Sequence, residues 1–402
     1  MNLFSKDFTR YLNLAVLIAV LLLCLFALLR GRNAIGGRNQ WDFTAHYFSA
    51  KAFQAGLNPY DNQAVNGVTT KPYVIPIGLT YPYHPYTLHY FRLFTWLPYP
   101  RALLVYMLYH LVLVLILPAV WQAFFPEPFN IFSLLIQLLF SFNSTLFLAL
   151  TAGNPAVFEA FVIWIALLAF IKDSPWLFLF FIVIISFFKG TPIVLTLMVF
   201  LLPAKWKNAI PFVTTLTISL LIWLSPLLFS PKMFHGFWAY SSNVREIGII
   251  NPSSFAMIYD VFMQYAGSHN RMRNLIYSAW VLTVGCTYLW TIRKLSWDRS
   301  RVEIAFLTLL TYAIIVPRFK DYAYLQLIPI AYFLATKNPA LLFSTLFALF
   351  IPAITIRLPY LVSQYHPLIA AVVNWAYLVA ILAHNHPTFP KKGALVSAVR
   401  NP

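Results

Sequence analysis

The residues from Trp41 to Tyr60, WDFTAHYFSAKAFQAGLNPY, combine a carboxylate with a pattern that predicts a short amphipathic helix. Its apolar and polar residues recur at helical spacing on two different faces: Phe43, Tyr47 and Ala50 on one, Asp42, His46 and Ser49 on the other. Gly56 and Pro59 predict where the helix ends. A carboxylate in the first turn of such a helix, at a bilayer surface, can act as a general base, and we expect this role for Asp42.

The same stretch carries a recognisable spacing of residues. Its matched positions are Asp42-Phe43, Tyr47, Ala50, Ala52, Gly56, Pro59 and Tyr60. They resemble the D-x-x-x-x-Y-x-x-A-x-A-x-x-x-G-x-x-P-Y signature of glycosyltransferase family 87, whose members are polytopic membrane enzymes of the GT-C architecture. The resemblance implies a polyprenyl-phosphate sugar as donor, mannose as the sugar, and Asp42 as the catalytic base. A carboxylate that only complements the helix dipole is the alternative for Asp42.

The composition indicates a membrane protein. Of the 402 residues, 60% are hydrophobic and only 10% are charged, whereas soluble domains average about 25% charged residues. Long apolar runs without alternation predict helices rather than a barrel. We therefore predict an all-α polytopic membrane protein, with residues 1–402 forming a single membrane domain and interfacial helices in the first outward loop.

Apolar runs of about 20 residues predict the membrane spans. They lie near 11–30, 101–121, 130–150, 155–171, 175–188, 191–203, 208–229, 274–292, 302–317, 321–336, 339–357 and 367–384. The segment 175–203 has two interpretations. Two short helices that turn at Lys189-Gly190 give twelve spans, and one long helix kinked at Pro192 gives eleven.

The positions of the basic residues predict the orientation. They cluster in alternate short connections and at both ends of the chain: Lys6, Arg10, Lys172, Lys205, Lys207, Arg293, Lys294, Arg299, Arg301, Lys337, Lys391, Lys392 and Arg400. The positive-inside rule then places both termini in the cytoplasm, with 31–100 and 230–273 outside the cytoplasmic (inner) membrane. The net charge of +17 favours anionic lipid or a lipid-linked phosphate as partner, because no nucleic-acid-binding module is visible.

Three cations are candidates for binding the donor phosphate. Lys189 is costly between apolar runs unless it reaches an anion or the interface, and Lys189-x-x-Pro192 resembles the family's K-P-x-P. A snorkelling lysine is the alternative. Arg318 and Lys320 lie in an outward turn, where Arg binds phosphate bidentately and Lys as a point charge. Glu159, one turn inside a span, is a further functional candidate.

Polar residues near the outward ends of the spans are candidates for binding the acceptor or orienting other groups. They are His46, Tyr60, His84, Asn154 and Asn251. His46, one turn after Asp42, either orients that carboxylate or is an ordinary interfacial histidine. His84 replaces the first proline of a Y-P-P stretch of the family. Asn154 stands where members often have Gly-Gln, and Asn251-Pro252-Ser253 resembles N-x-S, although both are also plain turn sequences.

The predicted protein is thus an integral-membrane glycosyltransferase that transfers a sugar to a lipid or glycan acceptor on the outer face. No D-x-D motif or metal-ligand cluster is visible in the sequence, so we expect a metal-independent reaction without a cofactor. A transporter or flippase of lipid-linked sugars is the main alternative, and it would predict internal repeats and charges at the midplane. A non-enzymatic assembly factor would tolerate replacement of Asp42.

The topology can be tested with single cysteines. Asn66→Cys and Ser268→Cys should react with a membrane-impermeant thiol reagent in intact cells, and Lys337→Cys should not, because positive loops stay inside. The unsubstituted protein is the background control, since Cys24 and Cys286 both fall in hydrophobic runs. The reverse labelling pattern would contradict the orientation.

Overall fold

The computed structural model describes residues 41–69, 73–75, 81–202, 205–243, 251–265, 270–346 and 360–384. All regular elements in these ranges are helices, as predicted. In chain order they are α1 (Trp41–Gln54), α2 (Asn62–Gly67), α3 (Leu88–Arg92), α4 (Tyr99–Gln122), α5 (Ile131–Ala152), α6 (Ala156–Ile171), α7 (Pro175–Phe188), α8 (Lys205–Phe229), α9 (Pro231–Asn243), α10 (Ser254–Tyr265), α11 (Asn270–Arg293), α12 (Trp297–Ile315), α13 (Ile328–Lys337), α14 (Ala340–Leu346) and α15 (Tyr360–Ala383). Three described 3₁₀-helices are Pro85–Thr87, Thr191–Leu201 and Asp321–Leu327.

Several described helices are long and apolar enough to cross a membrane, which makes the chain a multi-pass membrane protein. By length and composition there are five of them: Tyr99–Gln122, Ile131–Ala152, Lys207–Phe229, Arg271–Arg293 and Gln364–Ala383. Each coincides with a predicted span. The predicted span 11–30, both termini and the second half of 339–357 lie outside the described residues. The total of twelve spans stays a prediction.

Helix α1 ends as its sequence predicts. Gly56 has φ +72°, in the left-handed region that glycine adopts without strain. The N–H of Gly56 donates to the carbonyl of Phe53 at 3.0 Å, and the N–H of Leu57 donates to that of Ala52 at 2.9 Å. These two bonds form a Schellman motif, which satisfies carbonyls that the helix end would otherwise leave unpaired.

The predicted polar face of α1 is not a surface of the protein. His46 and Ser49 are as buried as Phe43 and Tyr47 on the apolar face. Helix α1 packs against α2 and α3, and Phe43 stacks on Tyr106 of α4. The prediction of an exposed polar face is therefore wrong, because His46 and Ser49 lie inside the protein. The position of α1 at the membrane interface stays a prediction.

The predicted span 130–150 is not one continuous helix. Residues 142–144 in the middle of α5 have left-handed backbone, with φ between 51° and 61°. Such a conformation costs roughly 1–2 kcal/mol per non-glycine residue, so tertiary contacts must hold it. The ring of Phe142 packs against that of Tyr324 at 5.5 Å, and the Thr145 hydroxyl donates to the Asp321 carbonyl at 2.7 Å. The break in α5 thereby supports the 3₁₀-helix that follows Lys320.

The segment 175–201 consists of two elements rather than one long helix. Helix α7 ends at Phe188, and Lys189 has extended backbone with φ −139°. The following 3₁₀-helix, Thr191–Leu201, packs side by side with α7, so the chain reverses direction at Lys189-Gly190. The second element was expected to be an α-helix. As a 3₁₀-helix it rises about 2.0 Å per residue, and eleven residues therefore reach farther than they would in an α-helix.

Replacement of Gly56 tests the end of α1. A Cβ at Gly56 would meet no atom within 4 Å, so Gly56→Ala introduces only backbone strain, of about 1–2 kcal/mol. We expect a lower unfolding temperature of the purified protein in detergent. Gly67→Ala is the control, because that position is equally open and lies outside the left-handed region. Equal unfolding temperatures for both variants would contradict the role of Gly56.

Candidate active site

A cavity of about 410 Å³ lies where the ends of several helices meet. Its wall is mostly apolar and aromatic, with a few charged and polar side chains, which is the usual make-up of a ligand site. The aromatic residues are Tyr83, Phe187, Phe188, Trp223, Phe237, Tyr312, Phe319 and Tyr322. The charged residues are Glu159, Lys189, Arg318 and Lys320. All three predicted phosphate-binding cations therefore line one cavity.

A buried ion pair lies in the wall of this cavity. The Lys189 ammonium donates to Oε2 of Glu159, whose side chain is 4% exposed against 22% for that of Lys189. Glu159 lies in the first turn of α6, where the helix dipole favours a negative charge. Lys189 directly follows α7, which packs along α6. The neighbouring helices thus bring the two charges together, and Lys189 does not snorkel away from the cavity.

The turn that carries Arg318 and Lys320 is held from behind by Asn251. The Asn251 amide donates to the Pro317 carbonyl at 3.3 Å and accepts from the Phe319 N–H at 2.8 Å. These bonds fix the backbone on both sides of Arg318. Asn251 was predicted to bind the acceptor or to orient another group. In the structure its amide fixes the backbone of the cationic turn.

Lysines from two distant segments face the same ring. The Lys189 and Lys320 ammonium groups lie 5.2 Å and 5.6 Å from the ring centre of Tyr322. At this range the negative face of an aromatic ring attracts a cation. Tyr322 therefore offsets part of the repulsion between the two lysines and keeps both at the cavity.

Asp42 is not among the residues that line the cavity, and the side chain of Asn154 holds it. The Asn154 side-chain amide donates to Oδ2 of Asp42 at 2.5 Å, while its Oδ1 accepts from the Ala156 N–H at 3.0 Å. The turn before α6 thus orients the carboxylate. Tyr83 lines the cavity and senses the charge of Asp42. Burial raises the pKa of Tyr83 well above its usual value, and the negative charges of Glu159 and Asp42 are further causes.

His46 does not orient Asp42. Neither of its ring nitrogens has a hydrogen-bond partner within the described part of the chain, although the residue is only 2% exposed. The ring packs among those of Tyr81, Tyr83 and Phe91, at centroid distances of 5.5, 5.0 and 4.5 Å. It is not an exposed histidine at a polar surface either. Burial lowers the pKa of His46 to about 3, and the charge of Lys320 adds to this effect.

Tyr60 and His84 shape the cavity wall. The Tyr60 hydroxyl donates to the Tyr83 carbonyl at 2.7 Å, which fixes the segment that precedes His84. His84 stacks on Trp223 at 5.5 Å, and its Nε2 bonds the Trp223 carbonyl at 3.0 Å. Burial lowers the pKa of His84 to about 4, although this hydrogen bond opposes the shift. Both residues therefore position other groups.

Several residues of the cavity were not predicted from the sequence. The aromatic wall formed by Trp223 and Phe237, and the amide of Gln326, carry no local sequence signal because they come from separate helices. The pairing of Glu159 with Lys189 had a signal, since opposite charges near the same end of two consecutive apolar helices have to be compensated. The pairing itself was not predicted.

The fold and the cavity define a class: a multi-pass helical membrane protein with a cationic, largely apolar cavity at its helix ends. The profile of glycosyltransferase family 87 matches residues 80–317, which is more than half of the chain. The chain therefore belongs to glycosyltransferase family 87 and is a membrane glycosyltransferase. Asp42 precedes the matched segment, and Arg318 and Lys320 directly follow it. No curated protein and no solved structure matches the chain.

The burial of His46 predicts a pH effect on stability. Its folded pKa of about 3 lies below the unfolded value of about 6.5, so the unfolded chain binds more protons between these values. The folded protein therefore loses stability as the pH falls through this window. His46→Phe removes this contribution, and its unfolding temperature should fall less between pH 7 and pH 5 than that of the parent.

The control for this experiment is the same substitution at His89, whose side chain is exposed. His89→Phe should leave the difference between the two pH values as it is in the parent. An equal decrease in the parent and in His46→Phe would show that the buried imidazole does not contribute.

Proposed function

We propose that the protein transfers one sugar from a polyprenyl-phosphate donor to a hydroxyl group of a lipid or glycan acceptor. The observation that carries the proposal is the convergence of Lys189, Arg318 and Lys320 on a cavity with otherwise mostly apolar walls. A phosphate group with a long apolar tail fits both properties, because the cations bind the phosphate and the aromatic wall binds the tail. Mannose, implied by the family signature, is the sugar we propose.

The charge of the cavity suits the leaving group better than the donor. Three cations against one carboxylate, Glu159, leave a net charge of +2 on the lining side chains. A glycosyl phosphodiester carries one negative charge, and the polyprenyl phosphate that it releases carries close to two. The attraction therefore increases as the bond to the sugar breaks, and only interactions that strengthen in this way accelerate the reaction.

Asp42 is the general base of the proposed reaction. The acceptor oxygen forms a bond to the anomeric carbon, and its proton passes to the carboxylate of Asp42. The bond between the anomeric carbon and the phosphate oxygen breaks, and its electron pair leaves with the polyprenyl phosphate. Asn154 holds the carboxylate in place. Because the cations stabilise the developing charge, we propose a metal-independent reaction.

The setting of the site is part of the proposal. A GT-C architecture with about twelve spans and cytoplasmic termini would place the cavity at the outer face of the inner membrane. The donor and a lipid acceptor would then reach the cavity from the bilayer. Membership of a glycosyltransferase family favours this enzyme over a flippase of lipid-linked sugars.

The proposal predicts that one substitution mainly lowers turnover and another mainly weakens donor binding. Asp42→Asn keeps the shape of the side chain but removes the proton acceptor, so turnover should fall roughly 10²–10⁴-fold while the donor still binds. Arg318→Ala removes a phosphate ligand, so donor binding should weaken more than acceptor binding. The measurements are transfer from a purified polyprenyl-phosphate sugar and, in parallel, donor affinity.

Two matched controls come from the same outward region. Asp61 accepts from the Gln63 N–H at the start of α2, away from the cavity, so Asp61→Asn should retain normal transfer because asparagine caps helices well. Lys51→Ala removes a cation that does not line the cavity. Transfer by Asp42→Asn within a few-fold of the parent would overturn the base assignment. No transfer by the parent protein, together with movement of the intact donor across the bilayer, would favour the flippase.

A further inference from the structure

Two residues of the cavity lining each carry a buried oxygen atom that has no hydrogen-bond partner in the part of the chain that the structure describes. The atoms are Oε1 of Glu159 and Oε1 of Gln326, on residues that are 3% and 5% exposed. A buried acceptor without a partner costs free energy, so such atoms in a native protein call for an explanation. Because both residues line the cavity, a bound ligand can complete the two bonds after a small rotation of each side chain.

The missing partner has to be a hydrogen-bond donor. Both oxygens only accept, so a phosphate group, whose ionised oxygens also accept, cannot satisfy them. The apolar tail of a lipid carries no donor either. Hydroxyl groups are the part of a glycosyl phosphate that can donate, and these oxygens therefore face the sugar rather than the phosphate.

Glu159 limits which hydroxyl this is. Its Oε2 holds Lys189, so its Oε1 lies next to the place where the donor phosphate would contact the Lys189 ammonium. In a glycosyl phosphate the hydroxyl closest to the phosphate is the one on the carbon next to the anomeric carbon. Resting on the proposed function, we propose that Glu159 accepts a hydrogen bond from the 2-hydroxyl of the donor sugar.

Gln326 would bind a second hydroxyl of the same sugar. Its backbone carbonyl accepts from the indole N–H of Trp164 at 3.1 Å, which fixes this end of the 3₁₀-helix Asp321–Leu327. The two acceptors reach the cavity from different elements, α6 and the 3₁₀-helix. A sugar between them is oriented by two points besides its phosphate.

This arrangement also affects the rate of transfer. Positive charge develops on the sugar as its bond to the leaving group breaks, and a hydrogen bond from the 2-hydroxyl to a carboxylate strengthens in such a transition state. Glu159 is thus assigned as a specificity residue that acts on the donor sugar. Its partner Lys189 holds the phosphate.

The test compares polyprenyl-phosphate donors that each lack one hydroxyl of the sugar. The parent protein should use the 2-deoxy donor about 10- to 100-fold less efficiently in kcat/KM, the range expected for one hydrogen bond to a charged group. A 2-deoxy sugar is intrinsically more reactive, because it lacks an electron-withdrawing hydroxyl. A lower rate therefore reports a lost contact. Equal use of both donors by the parent would overturn the inference.

Two variants locate the contacts. Glu159→Gln should reduce the disadvantage of the 2-deoxy donor, because the neutral amide oxygen accepts a weaker hydrogen bond than the carboxylate does. Gln326→Leu should keep the parent's kcat/KM ratio for the 2-deoxy donor and remove the discrimination against one of the other deoxy donors. It should also fold, because it replaces a buried amide oxygen that lacks a partner with an apolar group. Gln364→Leu is the matched control. Both amide atoms of Gln364 are buried and have no partner among the described residues, but Gln364 does not line the cavity.

The outcomes separate this inference from the proposed function. If the parent transfers sugar and every variant shows the same ratios of kcat/KM between donors as the parent, the sugar contacts are overturned. The glycosyltransferase proposal is then left intact. A uniform loss of rate with every donor in Glu159→Gln would show that Glu159 acts only through Lys189. Absence of transfer from any donor by the parent would overturn both.

Discussion

The ion pair between Glu159 and Lys189 is the interaction on which the cavity depends. A lysine between apolar helices is costly unless it is paired, and removing one partner of a buried pair typically costs about 3–5 kcal/mol. The pair joins the start of α6 to the end of α7. It therefore stabilises both the chain reversal at Lys189 and the part of the cavity wall that these two residues form. It also leaves the second carboxylate oxygen of Glu159 without a hydrogen-bond partner among the described residues.

The second constraint is the aromatic packing that encloses α1. Phe43 stacks on Tyr106 at 4.1 Å and packs against Phe94 and Tyr99. On its other side the ring of His46 fills a space bounded by aromatic rings, and its nitrogens have no hydrogen-bond partner among the described residues. Because both faces of α1 carry buried residues, its packing against neighbouring elements helps to position Asp42. The Asn154 amide then fixes the carboxylate itself.

These constraints divide the cavity into parts with different chemistry. In the proposed function, the cations around Tyr322 bind a phosphate and the aromatic wall near Trp223 holds an apolar tail. The oxygens of Glu159 and Gln326 that lack a partner in the described part of the chain bind hydroxyl groups. Asn251 contributes from outside by holding the cationic turn. A glycosyl phosphate on a lipid carries all three kinds of group, and this agrees with membership of a glycosyltransferase family.

The sequence by itself determined the class of the protein and most helix positions, because hydropathy and backbone preferences act locally. The helix that begins at Trp41 and the left-handed Gly56 after it are examples of such local rules. Only the tertiary structure decided the left-handed break at 142–144, where neither glycine nor proline stands. It also decided that His46 is buried among aromatic rings and that Glu159 pairs with Lys189. These features depend on contacts between segments far apart in the chain, and the spacing of residues along one segment holds no information about them.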